Sequence, residues 1–486
     1  MRNSIIFQLN QQVYQLSGEQ VFMTVADFLR YQAGLTGTKI VCAEGDCGAC
    51  SILVARFNKG KLTHHRVINS CITFMYLLDG HHIITVEGLK ESDELHPVQA
   101  AMVNTHGAQC GYCTPGFICA LAGVADKAKR EKKKLTPVKV KNALTGNLCR
   151  CTGYDSIIKA GCKTDLKMTK PLKNKYDTKE LVKLLEKNSK KSVEIRYKNK
   201  VIFLPTTLAE AVKIKNEHSD LRIISGATDL GVLSNKGKTQ LIKLMSLHLI
   251  EELYQMKNMK NTILIGAKNS LDEVEKITQK DFPEFSKLLH IFASPQIKNN
   301  GTLVGNALNA SPIADTIPFL KVSQAQIVLQ SVLGERTLNM NDFYLAGYKQ
   351  LDIKPNEIVT KIILPKTKKS FKLYKISARR DLDISAVTMA VSYQLEKKTI
   401  SNFAIAFGGV AASVIRLPEI EKMLEGKTFT SSLFKQVAET VSTQLKPLSD
   451  VRGSDVYRQL VCKNLVLKFC DEVHAEEGWK RNEVLV

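Results

Sequence analysis

Between residues 4 and 16 apolar and polar positions alternate around Gln11-Gln12, the period of a β-hairpin, and the spacing lengthens to that of a helix over Val25 to Leu35. Alternation returns at Ser51 to Arg56 and His82 to Val86, so residues 1–86 read as a small mixed domain wrapped around a Cys-rich loop. From His96 the period is helical. Pro97, Pro115 and Pro137 each open an apolar-periodic run, Thr114 and Thr136 stand as N-caps of two of them, and Gly146 can end the third. Residues 87–164 therefore read as a compact helical domain. Residues 165–191 are Lys-rich with few large apolar side chains, which predicts an interdomain linker running into a polar helix. Over 192–370 short strands alternate with helices (Val201 to Leu204, Leu208 to Lys215, Leu221 to Ser225, Ile263 to Ile265), as in an α+β domain. The last part, 371–486, alternates in Ser385 to Gln394 and Asn402 to Phe407, then turns helical in Leu433 to Leu445 and Val456 to Cys470. The expected fold class is multi-domain α+β.

Composition narrows the setting. No apolar run reaches the roughly 18 residues of a spanning helix, and the N-terminal stretch turns polar before a signal peptide could form, so a cytoplasmic protein without membrane insertion is expected. A net charge of +22 would suit nucleic acid. Much of that charge, however, is Lys in the segments 127–141 and 163–175, which reads as solvated linker charge first, docking to an acidic partner second and nucleic-acid binding last. In a reducing compartment the 12 cysteines point to metal or redox chemistry rather than to disulfides.

Of these cysteines only Cys462 and Cys470 lie outside the first third of the chain. Cys42-x4-Cys47-x2-Cys50, completed by Cys71, has the plant-type [2Fe-2S] spacing. Glycines in the loop from Cys42 to Cys50 let the backbone fold tightly around an inorganic core and aim N–H groups at sulfur. Four thiolates also bind zinc, but zinc ligands come as two short knuckles, whereas three of these share one loop. The second set is Cys110-x2-Cys113 and Cys149-x-Cys151, each pair beside a helix; alone it would serve zinc as well as iron and sulfide. Cys119, Cys162, Cys462 and Cys470 read as small buried hydrophobes.

Gln109-Cys110-Gly111-Tyr112-Cys113-Thr114-Pro115-Gly116 and Cys149-Arg150-Cys151-Thr152-Gly153-Tyr154, following a ferredoxin-like set, strongly resemble the xanthine oxidase family of molybdenum hydroxylases. The resemblance implies a β-grasp [2Fe-2S] domain over 1–86 and a helical-bundle [2Fe-2S] domain over 87–164. It also implies that the helical cluster lies nearest a molybdenum-pterin cofactor, with Gln109 and Cys151 facing the pterin. The fully loaded chain would carry roughly +16.

Two later pieces fit the same family. Leu221 to Gly231 is a strand entering a Gly-bounded turn, which can offer backbone N–H groups to a pyrophosphate; alone it reads as an ordinary turn. The run from Gly301 to Asp315 is rich in small residues that permit close backbone approach, and alone reads as a loop. No Gly-x-Gly-x-x-Gly occurs, so a Rossmann site is not expected. Together the pieces resemble the family's FAD-binding domain, of vanillyl-alcohol-oxidase type, over 192–370, with the flavoprotein C-terminal domain over 371–486. By matched position Ile223, Ile224, Ser225, Gly226, Ala227, Thr228, Asp229 and Leu230, with Thr302, Leu303, Val304, Gly305 and Asn306, would contact pyrophosphate and ribitol. Phe292 would stack on the isoalloxazine, and Asp315, Val359 and Lys375 would complete the pocket. Val304 stands where many members have a second Gly. Ala378 to Asp383 matches the loop that influences access of NAD, with Leu382 where better-known members are acidic.

The resemblance implies electron transfer from molybdenum through two [2Fe-2S] clusters to FAD and then NAD. The chain ends at 486 without the large molybdenum-binding region, so a partner subunit holding that cofactor is expected, in a dimer of heterodimers, and no catalytic residue is expected on this chain. Fusion of the iron-sulfur and flavin parts favours members that oxidise hypoxanthine and xanthine to urate over those acting on aldehydes, nicotinate or carbon monoxide. A zinc-bearing nucleic-acid-binding protein is the alternative from another class.

Overall fold

The computed structural model describes residues 1–58, 60–90, 94–176 and 179–479. They form two compact units, Met1–Leu253 with Ala293–Thr302, and Tyr254–Phe292 with Leu303–Val486.

The first unit opens with the expected hairpin, Ile5–Leu9 against Gln12–Leu16, but the register pairs Leu9 with Gln12. The turn is therefore Asn10-Gln11, one residue earlier than the pattern suggested. Asn10 takes φ +52, a left-handed conformation that Asn tolerates and tight hairpins require. Strand Ile5–Leu9 is buried at every position because it is interior: its other edge pairs in parallel with His81–Ile84. The sheet runs Gln12–Leu16, Ile5–Leu9, His81–Ile84, Ser51–Asn58, Lys61–Leu62, with Arg66–Asn69 also pairing Ser51–Asn58. A helical stretch capped by Thr24, whose Oγ1 accepts from the Asp27 N–H, lays Val25, Phe28 and Leu29 over Phe7, Ile52 and Ile68. A mixed sheet gripping one helix is the β-grasp arrangement.

The helical domain consists of Pro97–Asn104, Thr114–Arg130, Pro137–Ala143 and Asp155–Lys163, closed around Val98, Met102, Phe117, Leu121, Val140 and Ile157. Thr136 caps its helix as expected, accepting from the Lys139 N–H at 3.4 Å. Thr114 does not: it is the first helical residue, and Cys113, already at φ −81, ψ −15, is the N-cap.

Residues 165–191, expected as a linker running into a polar helix, hold further structure ahead of that helix. They contain helices Leu172–Tyr176 and Lys179–Ser189, and only 177–178 lie outside the described residues. Leu172 and Tyr176 join the core of the helical domain, while Leu181 and Leu185 pack against Ala55, Phe57 and Leu62 of the first sheet. The i, i+4 pair Leu181 and Leu185, with Val182 partly buried beside it, seats a helix that also carries Glu180, Lys183, Glu186 and Lys187. The segment is thus a strap. A second sheet follows, ordered Val193–Tyr197, Lys200–Leu204, Lys243–Ser246, Arg222–Ile224, and its apolar face shares a core with Phe7 and Phe28.

The second unit has a five-stranded antiparallel sheet, Met256–Asn258, Thr262–Gly266, Ile358–Pro365, Gln326–Ser331, Gly334–Asn339, and a four-stranded one, Ser370–Ile376, Val387–Glu396, Thr399–Gly408, Ile415–Arg416. Helices Ser431–Gln444 and Asp455–Glu476 cover the latter through Phe434, Val437, Cys462 and Phe469. No helix among the described residues is long and apolar enough to cross a membrane.

Leu185→Ala should loosen the strap. Losing a buried leucine costs about 2 kcal/mol or more, so tryptic cleavage within 165–191, limited by local opening, should accelerate roughly 30-fold while the far-UV spectrum stays unchanged.

Candidate metal and flavin centres

Cys42, Cys47 and Cys50 lie on one loop that bends at Ala43 (φ +55), Gly45 (φ +86) and Gly48 (φ +66), and Cys71 follows strand Arg66–Asn69. The fold brings all four together. Cys50 Sγ and Cys71 Sγ are 3.3 Å apart, and Cys42 is hydrogen-bonded to both Cys47 and Cys71. Those two bonds hold the Cys42 thiol far below its ordinary range, and the Cys71 contact likewise lowers that of Cys50. Asn69 Nδ2 points at Cys50 Sγ from 3.8 Å.

The second quartet interleaves. Cys110 Sγ lies 3.5 Å from Cys151 Sγ, and Cys113 contacts Cys149, so each contact joins one member of each sequence pair. Burial, then the bond to Cys149, pushes Cys113 up to about 12. The Tyr154 hydroxyl accepts from the Cys149 N–H at 3.1 Å, and Thr152 Oγ1 lies 3.1 Å from Cys149 Sγ. Gln109, Cys110 and Cys151 are exposed, with Tyr112 and Leu148 about half exposed beside them.

All 12 cysteines are free thiols, and among the described residues no group of three Cys, His, Asp or Glu side chains is assembled as a single-ion site. Sulfur contacts join all four members of each quartet, as a chain from Cys47 through Cys42 and Cys71 to Cys50 in the first and as two pairs in the second, close enough for a core whose two irons each take two thiolates. Both quartets fit a [2Fe-2S] cluster. Cys119, Cys462 and Cys470 are buried and Cys162 half-buried; Cys162 packs on the core of the helical domain, and Cys462 and Cys470 lie in an apolar core of the second unit.

The two sulfur sites adjoin. The Leu148 N–H donates to the Cys47 carbonyl at 2.9 Å, and Asn147 Nδ2 to the Gly48 carbonyl at 3.1 Å. A Cβ on Gly116 would stand 2.2 Å from Gly48 O, and one on Gly48 the same distance from Gly146 O, so bare backbone is required on both sides. From helix Pro295–Asn300, Gln296 Nε2 donates to Asn147 Oδ1 (2.8 Å) and Ser51 Oγ (3.1 Å), Asn299 Nδ2 donates to the Val67 carbonyl (2.9 Å), and Ile297 packs against Cys50 and Cys71. Asn147, Gln296 and Asn299 had no sequence signal, since single polar residues carry no period.

The flavin residues divide between the units. In the first, strand Arg222–Ile224 runs into Ser225-Gly226-Ala227, and helix Thr228–Asn235 begins. Gly226 is indispensable, because a Cβ would lie 2.0 Å from the Asn300 carbonyl. Ala227 is left-handed (φ +57), Ser225 Oγ lies 3.2 Å from Thr302 Oγ1, and Asn300 Nδ2 donates to the Gly226 carbonyl at 2.9 Å. The fold thus brings Ile223 to Leu230 together with Thr302. Successive N–H groups at a left-handed turn opening a helix make an anion cradle.

In the second unit Leu303, Val304, Gly305 and Asn306 lie on helix Leu303–Asn309, where a loop was the plain reading. Val304 is buried, and Asn306 Oδ1 accepts from Thr316 Oγ1 at 2.5 Å. Phe292 ends helix Pro283–Phe292, half-buried, and Val359 is buried in strand Ile358–Pro365. Lys375 Nζ donates to Asp315 Oδ2 (2.8 Å), the Asp383 carbonyl (2.7 Å) and Ser385 Oγ (2.6 Å), and Ser385 Oγ donates to Asp315 Oδ1 (2.6 Å). All three ammonium donors are engaged, so Lys375 fastens the loop ahead of Ser385. In that loop Leu382 takes φ +65.

Comparison with known proteins gives three consecutive matches: a [2Fe-2S] binding domain over 85–162, the FAD binding domain in molybdopterin dehydrogenase over 194–367, and the CO dehydrogenase flavoprotein C-terminal domain over 372–473. The chain thus carries iron-sulfur and flavin domains of the kinds found in molybdenum hydroxylases, consistent with that family. Among that family's members its sequence is similar to the xanthine dehydrogenases. It is 28% identical to xanthine dehydrogenase 1 of Arabidopsis thaliana over 92% of this chain and 38% of that protein, and 27% identical to mouse xanthine dehydrogenase/oxidase over 95% and 39%. The chain thus spans less than two fifths of these relatives. Among solved structures, carbon monoxide dehydrogenase from Hydrogenophaga pseudoflava has a TM-score of 0.52 at 24% identity, covering 55% of this chain and 93% of that one. Quinoline 2-oxidoreductase from Pseudomonas putida 86 has a TM-score of 0.53 at 22% identity, covering 57% and 97%. Both share the fold.

Gly116→Ala tests the close approach. It sits in a helix, where Ala is favoured by about 1 kcal/mol, yet overpacking against the Gly48 carbonyl should cost about 2–3 kcal/mol and lower the Tm of the first unit by several degrees. Gly123→Ala in the same helix, whose Cβ meets only the flexible end of Leu53 at 3.1 Å, should be tolerated.

Proposed function

We propose that this chain is the iron-sulfur and FAD subunit of a xanthine dehydrogenase, passing electrons from a molybdenum-cofactor-binding partner to NAD during oxidation of hypoxanthine and xanthine to urate. The observation that carries this is the pair of sulfur quartets meeting at the Cys47 carbonyl and the Leu148 N–H. Cys42, Cys47, Cys50 and Cys71 would ligate one cluster, and Cys110, Cys113, Cys149 and Cys151 the other. When bound, [2Fe-2S] clusters supply one-electron transfer and FAD converts it to two-electron hydride chemistry.

The chain's own residues prepare each position. Cys110, Cys151 and Gln109 lie at the surface beside Tyr112 and Leu148, an amphipathic face suited to a large subunit holding the molybdenum-pterin cofactor. The turn Ser225-Gly226-Ala227 presents N–H groups to a pyrophosphate, and Thr302 adds a hydroxyl. Asp315, Lys375 and Ser385 immobilise the loop that would border the nicotinamide. Preference for xanthine rests on similarity over 92% of the chain to xanthine dehydrogenases. The fold likeness to carbon monoxide and quinoline enzymes makes those substrates the reading to exclude. Activity of the complex on xanthine, quinoline, nicotinate, aldehydes and carbon monoxide separates them.

Purified chain should contain about four irons, four acid-labile sulfides and one FAD; two zincs without flavin would refute the proposal. In the complex, Cys110→Ser should abolish electron flow from substrate to flavin while leaving reduction of FAD by NADH intact, measured by stopped-flow absorbance. Loss of both in a folded protein would contradict the cluster order.

A further inference from the structure

We infer that Asn235, at the end of helix Thr228–Asn235, is a positioning residue for the first iron-sulfur site, setting the orientation of the Ala43–Glu44 peptide beside Cys42. The inference rests on the cluster assignment above. Asn235 Nδ2 donates to the Ala43 carbonyl and to the Cys71 carbonyl, each at 2.8 Å. Both amide protons are thereby used, on carbonyls from the two separate stretches that supply the ligands.

The peptide joining Ala43 to Glu44 is planar and trans, so its C=O and N–H point in opposite directions. With the carbonyl turned to Asn235, the Glu44 N–H faces the other way and bonds to the Cys42 sulfur. This arrangement needs Ala43 at φ +55, a conformation that costs a residue with a Cβ about 1–2 kcal/mol. Asn235 supplies the compensating contact. Its helix is fixed on the site independently: Gly231 lies where a Cβ would meet the Ile72 carbonyl at 2.3 Å, Val232 packs on Cys50, Cys71 and Ile72, and Lys236 pairs with Glu44. The other end of the helix, about 12 Å away, opens at the Gly226-Ala227 turn. One rigid helix therefore ties the conformation of the sulfur loop to the flavin segment.

An N–H directed at a ligating sulfur stabilises the reduced, more negative cluster and raises its potential. Asn235 is exposed, so Asn235→Leu should fold normally. The test is a redox titration of the full chain followed by electron paramagnetic resonance, with iron, sulfide and FAD counted in the same samples. Asn235→Leu should lower the midpoint potential of one cluster, or selectively lose that cluster, while the other cluster and the flavin titrate as in wild type. Asn235→Gln, which keeps the donor, should restore part of the shift. Ser234→Gly loosens the same helix without touching the sulfur loop and should leave both potentials unchanged. Unchanged potentials in Asn235→Leu with full iron would overturn the inference, as would an equal fall in Ser234→Gly, which would assign the effect to a loosened helix. Absence of two cluster signals from the wild-type protein would instead refute the cluster assignment itself.

Discussion

The carbonyl of Gly48 is the point at which both sulfur sites are fixed. It accepts from the Ser51 hydroxyl (2.7 Å), the Ser51 N–H (3.0 Å) and Asn147 Nδ2 (3.1 Å), and it touches helix Thr114–Arg130 at Gly116, where there is no side chain to block the approach. A loop with three left-handed residues would by itself be a loose ligand set. Pinned at Gly48, it cannot shift without moving the helical domain as well. Geometry held by contacts outside the ligand set is what keeps rearrangement small when the charge on a site changes.

Much of this was legible in the sequence, and the reasons differ between parts. Ligand spacing is local, so both quartets were readable from Cys42 to Cys151, and each assembles in space. The periods of helix and strand were also readable, apart from one-residue displacements at Asn10 and Thr114, where a single backbone conformation decides the boundary. The docking of 165–191 was not legible, because Leu181 and Leu185 among many charged residues give too weak a period, although they suffice to seat a helix. Small residues hid the helix at Leu303–Asn309 in the same way. What no pattern could reveal were single polar side chains with distant partners: Asn147, Asn235, Gln296 and Asn299.

Lysine likewise does more than the composition suggested. The side chain of Lys375 is 1% exposed and bonded to Asp315, Asp383 and Ser385, while Lys129 caps the carbonyls of Leu166 and Lys167. Such residues count toward a charge of +22 yet present no free cation to a polyanion. Net charge is therefore a poor guide to partners when lysines are used as internal fasteners.

Helix Pro295–Asn300 belongs by sequence to the flavin domain but by packing to the N-terminal unit, where Gln296, Ile297 and Asn299 reach three different segments. The covalent order of the chain and its order of assembly therefore differ. During synthesis the ribosome releases the whole cysteine-bearing region long before residue 295 exists, so the sulfur sites must wait, incomplete on one side, for a short helix made much later. A chain truncated before residue 295 would leave Ile72 and Cys71 without the cover of Ile297.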